Sequence, residues 1–208
     1  MAADKLDLFK KYKAEYQAGA KPRLVETGPA LYLALTGRGP AGGEAFQAAV
    51  GALYAMAFTI KMGRKKAGRG DYAIGKLEAQ FWADTGLATA PPRDWSWQLM
   101  IRTPAEVAGF PLDEKDLATA RAVLRQRGRD AGTEAVKLVT LDEGSCVQML
   151  HVGPYEESGR TLAVMRAFIR DEGRQLTGKH HEIYISDPRR VPPERLKTIL
   201  RHPVSRAC

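Results

Sequence analysis

From position 6 to position 16, Leu6, Phe9, Tyr12 and Tyr16 recur at helical spacing with lysines between them, which predicts a short docking helix. Two β-rich runs follow, 22–27 and 31–36, separated by Gly28-Pro29, a pattern that reads as a hairpin. Gly37, Gly39, Pro40, Gly42 and Gly43 end the second run. Beyond them Phe46, Val50, Leu53, Tyr54, Ala57 and Phe58 predict a helix over about 44–62. Strands are expected over about 73–83 and 96–103, with Pro91-Pro92 turning the chain between them. Segment 113–128 reads as a helix. Leu117, Ala120, Val123 and Leu124 share its apolar face, and Asp113, Glu114 and Asp116 stand at its start, where the helix dipole favours negative charge.

The opening pattern then returns. From Val136 onward come two strands, a Gly-Pro stop and a helix. Gly153-Pro154 repeats Gly39-Pro40, Leu138-Val139 repeats Leu24-Val25, and Phe168 answers Tyr54, all at one common offset. Ala83-Asp84 answers Ser186-Asp187 at a shorter offset, so the first copy is longer by about the basic stretch 61–71. The chain therefore reads as a single α+β domain, 1–208, built from duplicated strand-strand-helix-strand units. The pseudo-repeats span about 22–103 and 136–203 and are joined by a helix-containing connection, 104–135. Each copy has too little core to stand alone, so the copies are expected to pack together around a central pocket.

With 44% hydrophobic and 27% charged residues the chain has the composition of a globular protein rather than a disordered one. No uniformly apolar run marks an anchor. Asp4, Lys5, Asp7, Lys10 and Lys11 break the apolar core that a secretory signal needs, so the cytoplasm is the expected compartment. The two cysteines, Cys146 and Cys208, form neither a CxxC pair nor a metal-ligand spacing. A net charge of +8 raises the question of nucleic acid. The basic residues fall in two clusters, 61–69 and 121–129, without interleaved aromatics or a helix-turn-helix pattern, so no nucleic-acid partner is expected.

The segment GKHHEIYISDPRR carries the sharpest chemistry. Its alternation places His181, Ile183 and Ile185 on one strand face and Glu182, Tyr184 and Ser186 on the other. A carboxylate among apolar strand residues is either neutralised by a partner or shifted in pKa, and both states suit binding a cation or moving a proton. Glu78 is the near match in the first copy, one position before Ala79, which the repeat sets opposite Glu182; if Glu78 points into the groove, a Glu78–Glu182 pair would divide acid and base roles. Trp82, Trp97, Tyr184, Tyr54 and Phe81 are candidate walls of an apolar site, Tyr155 and Tyr72 candidate phenol donors, and His151 a histidine at a strand end. His180, His181 and Glu182 are consecutive, and a strand sends neighbours to opposite faces, so no metal site is expected. No phosphate loop, dinucleotide fingerprint or serine-hydrolase elbow is present, and no cofactor is expected.

At the Leu77-Glu78 strand, the Leu150-His151-Val152-Gly153-Pro154-Tyr155 turn and the Lys179-His180-His181-Glu182-Ile183-Tyr184 strand with its Ser186-Asp187-Pro188-Arg189-Arg190 tail, the chain resembles the GyrI-like small-molecule-binding proteins. The stretches 52–61 and 195–201 fit its stand-alone branch. The resemblance implies a tandem SHS2 fold, related to the effector-binding domains of multidrug-responsive transcription activators, with an acidic, aromatic-lined pocket for a hydrophobic or cationic small molecule. Some stand-alone members are cyclopropanoid cyclopropyl hydrolases. By that resemblance the expected function is xenobiotic detoxification by opening electrophilic cyclopropanes, with Glu182 or Glu78 as general base and Tyr155 or Tyr72 as hydrogen-bond donor. The rival expectation is a non-catalytic module that binds or sequesters drugs.

Overall fold

The N-terminal periodicity yields two single-turn helices, α1 (Leu8–Lys11) and α2 (Lys13–Tyr16), instead of one helix, because the backbone leaves the helical region at Tyr12 (φ −104°, ψ 40°). The structure, a computed structural model, describes residues 5–207; Cys208 lies outside them. The elements that follow are β1 (Arg23–Glu26), β2 (Ala30–Arg38), α3 (Glu44–Lys66), β3 (Leu77–Trp82) and β4 (Ser96–Arg102). Then come β5 (Glu106–Val107), β6 (Phe110–Pro111), α4 (Glu114–Gln126), β7 (Lys137–Leu141) and β8 (Ser145–Val152). The chain ends with α5 (Ser158–Asp171), β9 (Arg174–Leu176), β10 (His180–Tyr184) and β11 (Lys197–Arg206). The class is α+β with antiparallel pairing, as the sequence pattern implies.

The expected hairpin of the first two strands does not form. β1 pairs β8, with Val25 opposite Cys146, while β2 pairs β4 and β7. A tight two-residue hairpin turn of the favoured type needs positive φ at both central residues, and the proline of Gly28-Pro29 fixes its own φ negative. The chain passes straight on, and each strand finds a distant partner.

Two compact units result among the described residues: 5–11, 30–75 and 81–141 form the first, and 12–29, 76–80 and 142–207 form the second. In the first unit the strand order is β4-β2-β7, with α3 packed on β2 and β4 and against α4. Phe46, Leu53, Met56 and Ile60 of α3 and Leu117, Ala120 and Leu124 of α4 are buried. α3 is long and apolar enough to cross a membrane by length and composition, but this buried stripe makes it a core helix. α4 starts where its sequence says it should: the Asp113 side chain accepts from the backbone N–H of Lys115 and Asp116, and Asp116 reaches back to the Asp113 N–H.

α3 also runs one turn past the expected end and takes Arg64, Lys65 and Lys66 into the helix, so half of the expected basic loop is helical. Ion pairs hold it there. Lys61 and Lys65 meet Asp71 at 2.9 and 3.0 Å, and their hydrogen bonds bring the Asp71 carboxyl down to about 2. Arg64, 2% exposed, bonds Asp116 and the carbonyls of Phe110 and Pro111, and Arg69 meets Asp116 at 2.8 Å. These four basic side chains find their partners inside the first unit.

In the second unit the strand order is β1-β8-β11-β10, with Leu77–Gln80 of β3 next to β10 and the short β9 on the far end of β11. α5 covers one face. Met165 and Ile169 pack on Val147, Met149, Leu200 and Val204, with Leu24, Leu162 and Phe168 closing the edges. Gly153, at φ 135°, makes the turn from β8 toward α5 in a conformation that a side chain would strain.

Candidate functional site

Strand alternation splits His180–Tyr184 into two chemistries, one on each face of the second unit's sheet. On the face away from α5, register aligns His181 with Arg201 and Arg201 with Gln148. His181 is fully buried. Its Nδ1 lies 2.8 Å from Glu143 Oε2 and its Nε2 3.1 Å from Glu78 Oε2. Arg201 reaches Glu143 at 3.4 Å and holds the Gln148 carbonyl through Nε and Nη2, each at 3.2 Å. Gln80 donates to Glu143 at 3.0 Å, and the Tyr16 hydroxyl of α2 donates to Glu78 at 2.8 Å. Burial alone would make the His181 cation unfavourable, but Glu143 and Glu78 reverse the balance and raise its pKa to about 9. Burial would likewise raise Glu143, yet His181 and Arg201 bring it down to about 2. This is a closed, paired cluster that holds strands together.

The α5 face carries His180, Glu182 and Tyr184. Glu182 is 15% exposed, and its Oε1 lies 3.0 Å from His180 Nε2. Burial opposes its charge, but hydrogen bonds from His180 and from the Tyr184 hydroxyl outweigh burial and leave its pKa below the usual carboxylate value. Tyr184 is pushed well above the ordinary phenol value by burial first and by Glu182 next. Tyr155 stands edge-on to Tyr184, ring centroids 5.6 Å apart, and its pKa is raised by burial and by Glu182. An ionised, partly accessible carboxylate thus sits beside two phenols that stay protonated. That set can accept a proton from water and offer a hydrogen bond to a developing oxyanion.

The expected Glu78–Glu182 pair is not assembled. Glu78 bonds His181, the strand neighbour of Glu182, and therefore lies on the opposite face, shut from solvent. His151 is a turn anchor. Its Nε2 donates to the Pro154 carbonyl at 2.9 Å, which leaves Nδ1 to accept from the Thr161 hydroxyl at 2.9 Å.

The remaining candidates belong to the first unit. Tyr72 is 2% exposed beside Thr103, and burial pushes its phenol up to about 12, so it is a core residue there. Trp97 is buried against Phe46, centroids 5.3 Å apart, and Phe81 stacks on Phe46 at 6.3 Å and meets Trp95 at 6.1 Å. Tyr54 lies next to Phe58 along α3, and Trp82, at the end of β3, is half-buried. Sequence reasoning missed Glu143, Arg201 and Tyr16. It also used His180 only in weighing a metal site, although the two-residue spacing to Glu182 on a strand was the signal for a shared face.

The profile of the GyrI-like small molecule binding domain matches residues 93–205. An uncharacterized conserved protein from Listeria innocua is similar along the chain: 39% identity, TM-score 0.89, covering 97% of this chain and all of that one. A hydrolase from Listeria innocua has 40% identity and a TM-score of 0.84, and a hydrolase encoded by lin2189 from the same organism has 38% and 0.87; both alignments cover 97% of this chain and 100% of the other. No curated protein matches.

Proposed function

Because the chain belongs to the family of GyrI-like small molecule binding domains, we propose that it takes up a hydrophobic or cationic small molecule beside Glu182 and opens an electrophilic cyclopropane in it by addition of water. The observation that carries this reading is the Glu182 carboxylate, 15% exposed and kept ionised by His180 and Tyr184. The printed descriptions of two Listeria innocua relatives as hydrolases support the reaction class. The reading places the reaction in the cytoplasm.

In this mechanism Glu182 takes a proton from water, and the water oxygen bonds to a cyclopropane carbon. The ring carbon–carbon bond breaks, and its electron pair moves through the conjugated system to the substrate carbonyl oxygen. Tyr155 donates a hydrogen bond to that oxygen as charge grows on it; the oxygen then takes a proton from solvent to become a phenol, and Glu182 returns its proton to solvent. The net change is one added water.

The test is incubation of the protein with a duocarmycin-type cyclopropane, with the ring-opened product followed by mass spectrometry beside a Glu182→Gln variant. Product that is lost in the variant supports the hydrolase. Equal turnover by both proteins overturns the role of Glu182. Retained, unconverted compound assigns the chain to the non-catalytic drug-binding modules, for which a carboxylate flanked by aromatic rings suits a lipophilic cation.

A further inference from the structure

His180 does more than touch Glu182. Its Nε2 faces Glu182 Oε1 at 3.0 Å and its Nδ1 faces His202 Nε2 at 3.0 Å, with the two imidazole rings 4.8 Å apart between β10 and β11. An ionised carboxylate only accepts, so His180 Nε2 carries the proton of the first contact. The second contact has two assignments. In one, His202 Nε2–H donates to a bare His180 Nδ1, and His202 Nδ1 keeps a lone pair. In the other, a doubly protonated His180 donates to a bare His202 Nε2, and the His202 proton sits on Nδ1.

The burial of His202 Nδ1 separates them, because that atom has no partner among the described residues. The first assignment orphans a lone pair; the second orphans an N–H, the rarer and costlier outcome in a protein interior. Burial above all lowers the His202 pKa to about 3, so the ring itself stays neutral.

We propose that His180 is a positioning residue for Glu182, held in its Nε2–H tautomer by His202, so that the relay His202→His180→Glu182 aims every N–H at the one carboxylate. The inference rests on the reading of Glu182 as the functional base. The relay fixes the carboxylate rotamer and keeps it charged where burial would neutralise it. The other ionisable groups facing this pair are Tyr184 on β10, His151 on β8, and Tyr155 beside Tyr184; Arg166, Glu143 and His181 act on His202.

Two measurements on the full chain test it, and neither needs a substrate. Long-range proton–nitrogen correlation spectra of histidine-labelled wild-type protein at neutral pH are expected to show His180 and His202 both neutral and both protonated at Nε2. A His180 imidazolium, or an Nδ1–H tautomer at either ring, overturns the relay. Carbon-13 titration of the Glu182 carboxyl is expected to move its pKa upward by about one unit or more in His180→Leu, whereas His180→Gln, whose amide still donates, stays near wild type. An unchanged Glu182 titration in a folded His180→Leu protein overturns the positioning role. The tautomer measurement stands if that variant does not fold, and a failed turnover assay leaves both readouts intact.

Discussion

His181 and Glu143 meet at 2.8 Å, Nδ1 to Oε2, with both side chains closed to solvent. Their pairing, together with His202, sets the pH range in which the second unit is stable. His181 is raised to about 9, so its contribution is complete below its unfolded value of 6.5 and is lost as pH rises toward 9. His202 is lowered to about 3, so its contribution is present above 6.5 and is lost as pH falls toward 3; Glu143, lowered to about 2, adds a loss below 4.5. Unfolding free energy measured by urea titration across pH is therefore expected to peak near 6.5 and fall on both sides. His181→Gln should flatten the alkaline side, and His202→Gln the side between 3 and 6.5.

Arg64 is the buried hub of the first unit, and its guanidinium serves Asp116 and the carbonyls of Phe110, Pro111 and Arg69. Arg64→Met keeps the stem but leaves Asp116 buried with Arg69 as its remaining cation. Removing one partner of a buried pair is expected to cost about 3–5 kcal/mol, read as a lower urea midpoint at unchanged slope. Lys65→Met, on a half-exposed pair with Asp71, should change stability by less than about 1 kcal/mol.

How much of this was legible in the sequence depends on how local each feature is. α4 was readable because its apolar face and its Asp113 cap lie within a few residues of one another. The face split at His181 and Glu182 follows from strand alternation alone. The β1–β8 pairing was not readable, because nothing near Val25 points to Cys146. Glu143 looked like an ordinary turn carboxylate in LDEG, and its partners His181 and Arg201 lie 38 and 58 residues away. The extent of α3 was misread because glycines and basic residues suggest a loop, while the partner that keeps Arg64 helical, Asp116, sits on another helix.

Gly37 and Trp97 are in close approach across the β2–β4 pair. A Cβ on Gly37 would stand 2.2 Å from the Trp97 ring, and rings cannot yield as a flexible side-chain end can. Gly37→Ala should push the indole off Phe46 and destabilise the protein by about 1–3 kcal/mol. A loss of near-ultraviolet circular dichroism from the tryptophan, together with a lower melting temperature, checks it; an unchanged spectrum and melting temperature would contradict the packing described.

The two glutamates once expected to act as a pair should now separate in their effects. Glu182 is partly open, and its amide isostere still fits between His180 and Tyr184, so Glu182→Gln is expected to leave the fold nearly as stable as wild type. If Glu182 is the base, turnover of the cyclopropane falls by about 10²–10⁴-fold. Glu78 has no solvent contact, and Glu78→Gln puts an amide against the His181 imidazolium and the Tyr16 hydroxyl, removing one of the two charges that support the histidine. Its main effect should be a loss of stability of about 1–3 kcal/mol, because a buried charged donor loses one of its two carboxylate acceptors. Activity per folded molecule should stay close to wild type. Measuring both quantities on both variants decides the matter: a Glu78→Gln protein that is stable but inactive would move the chemistry to the opposite face of the sheet.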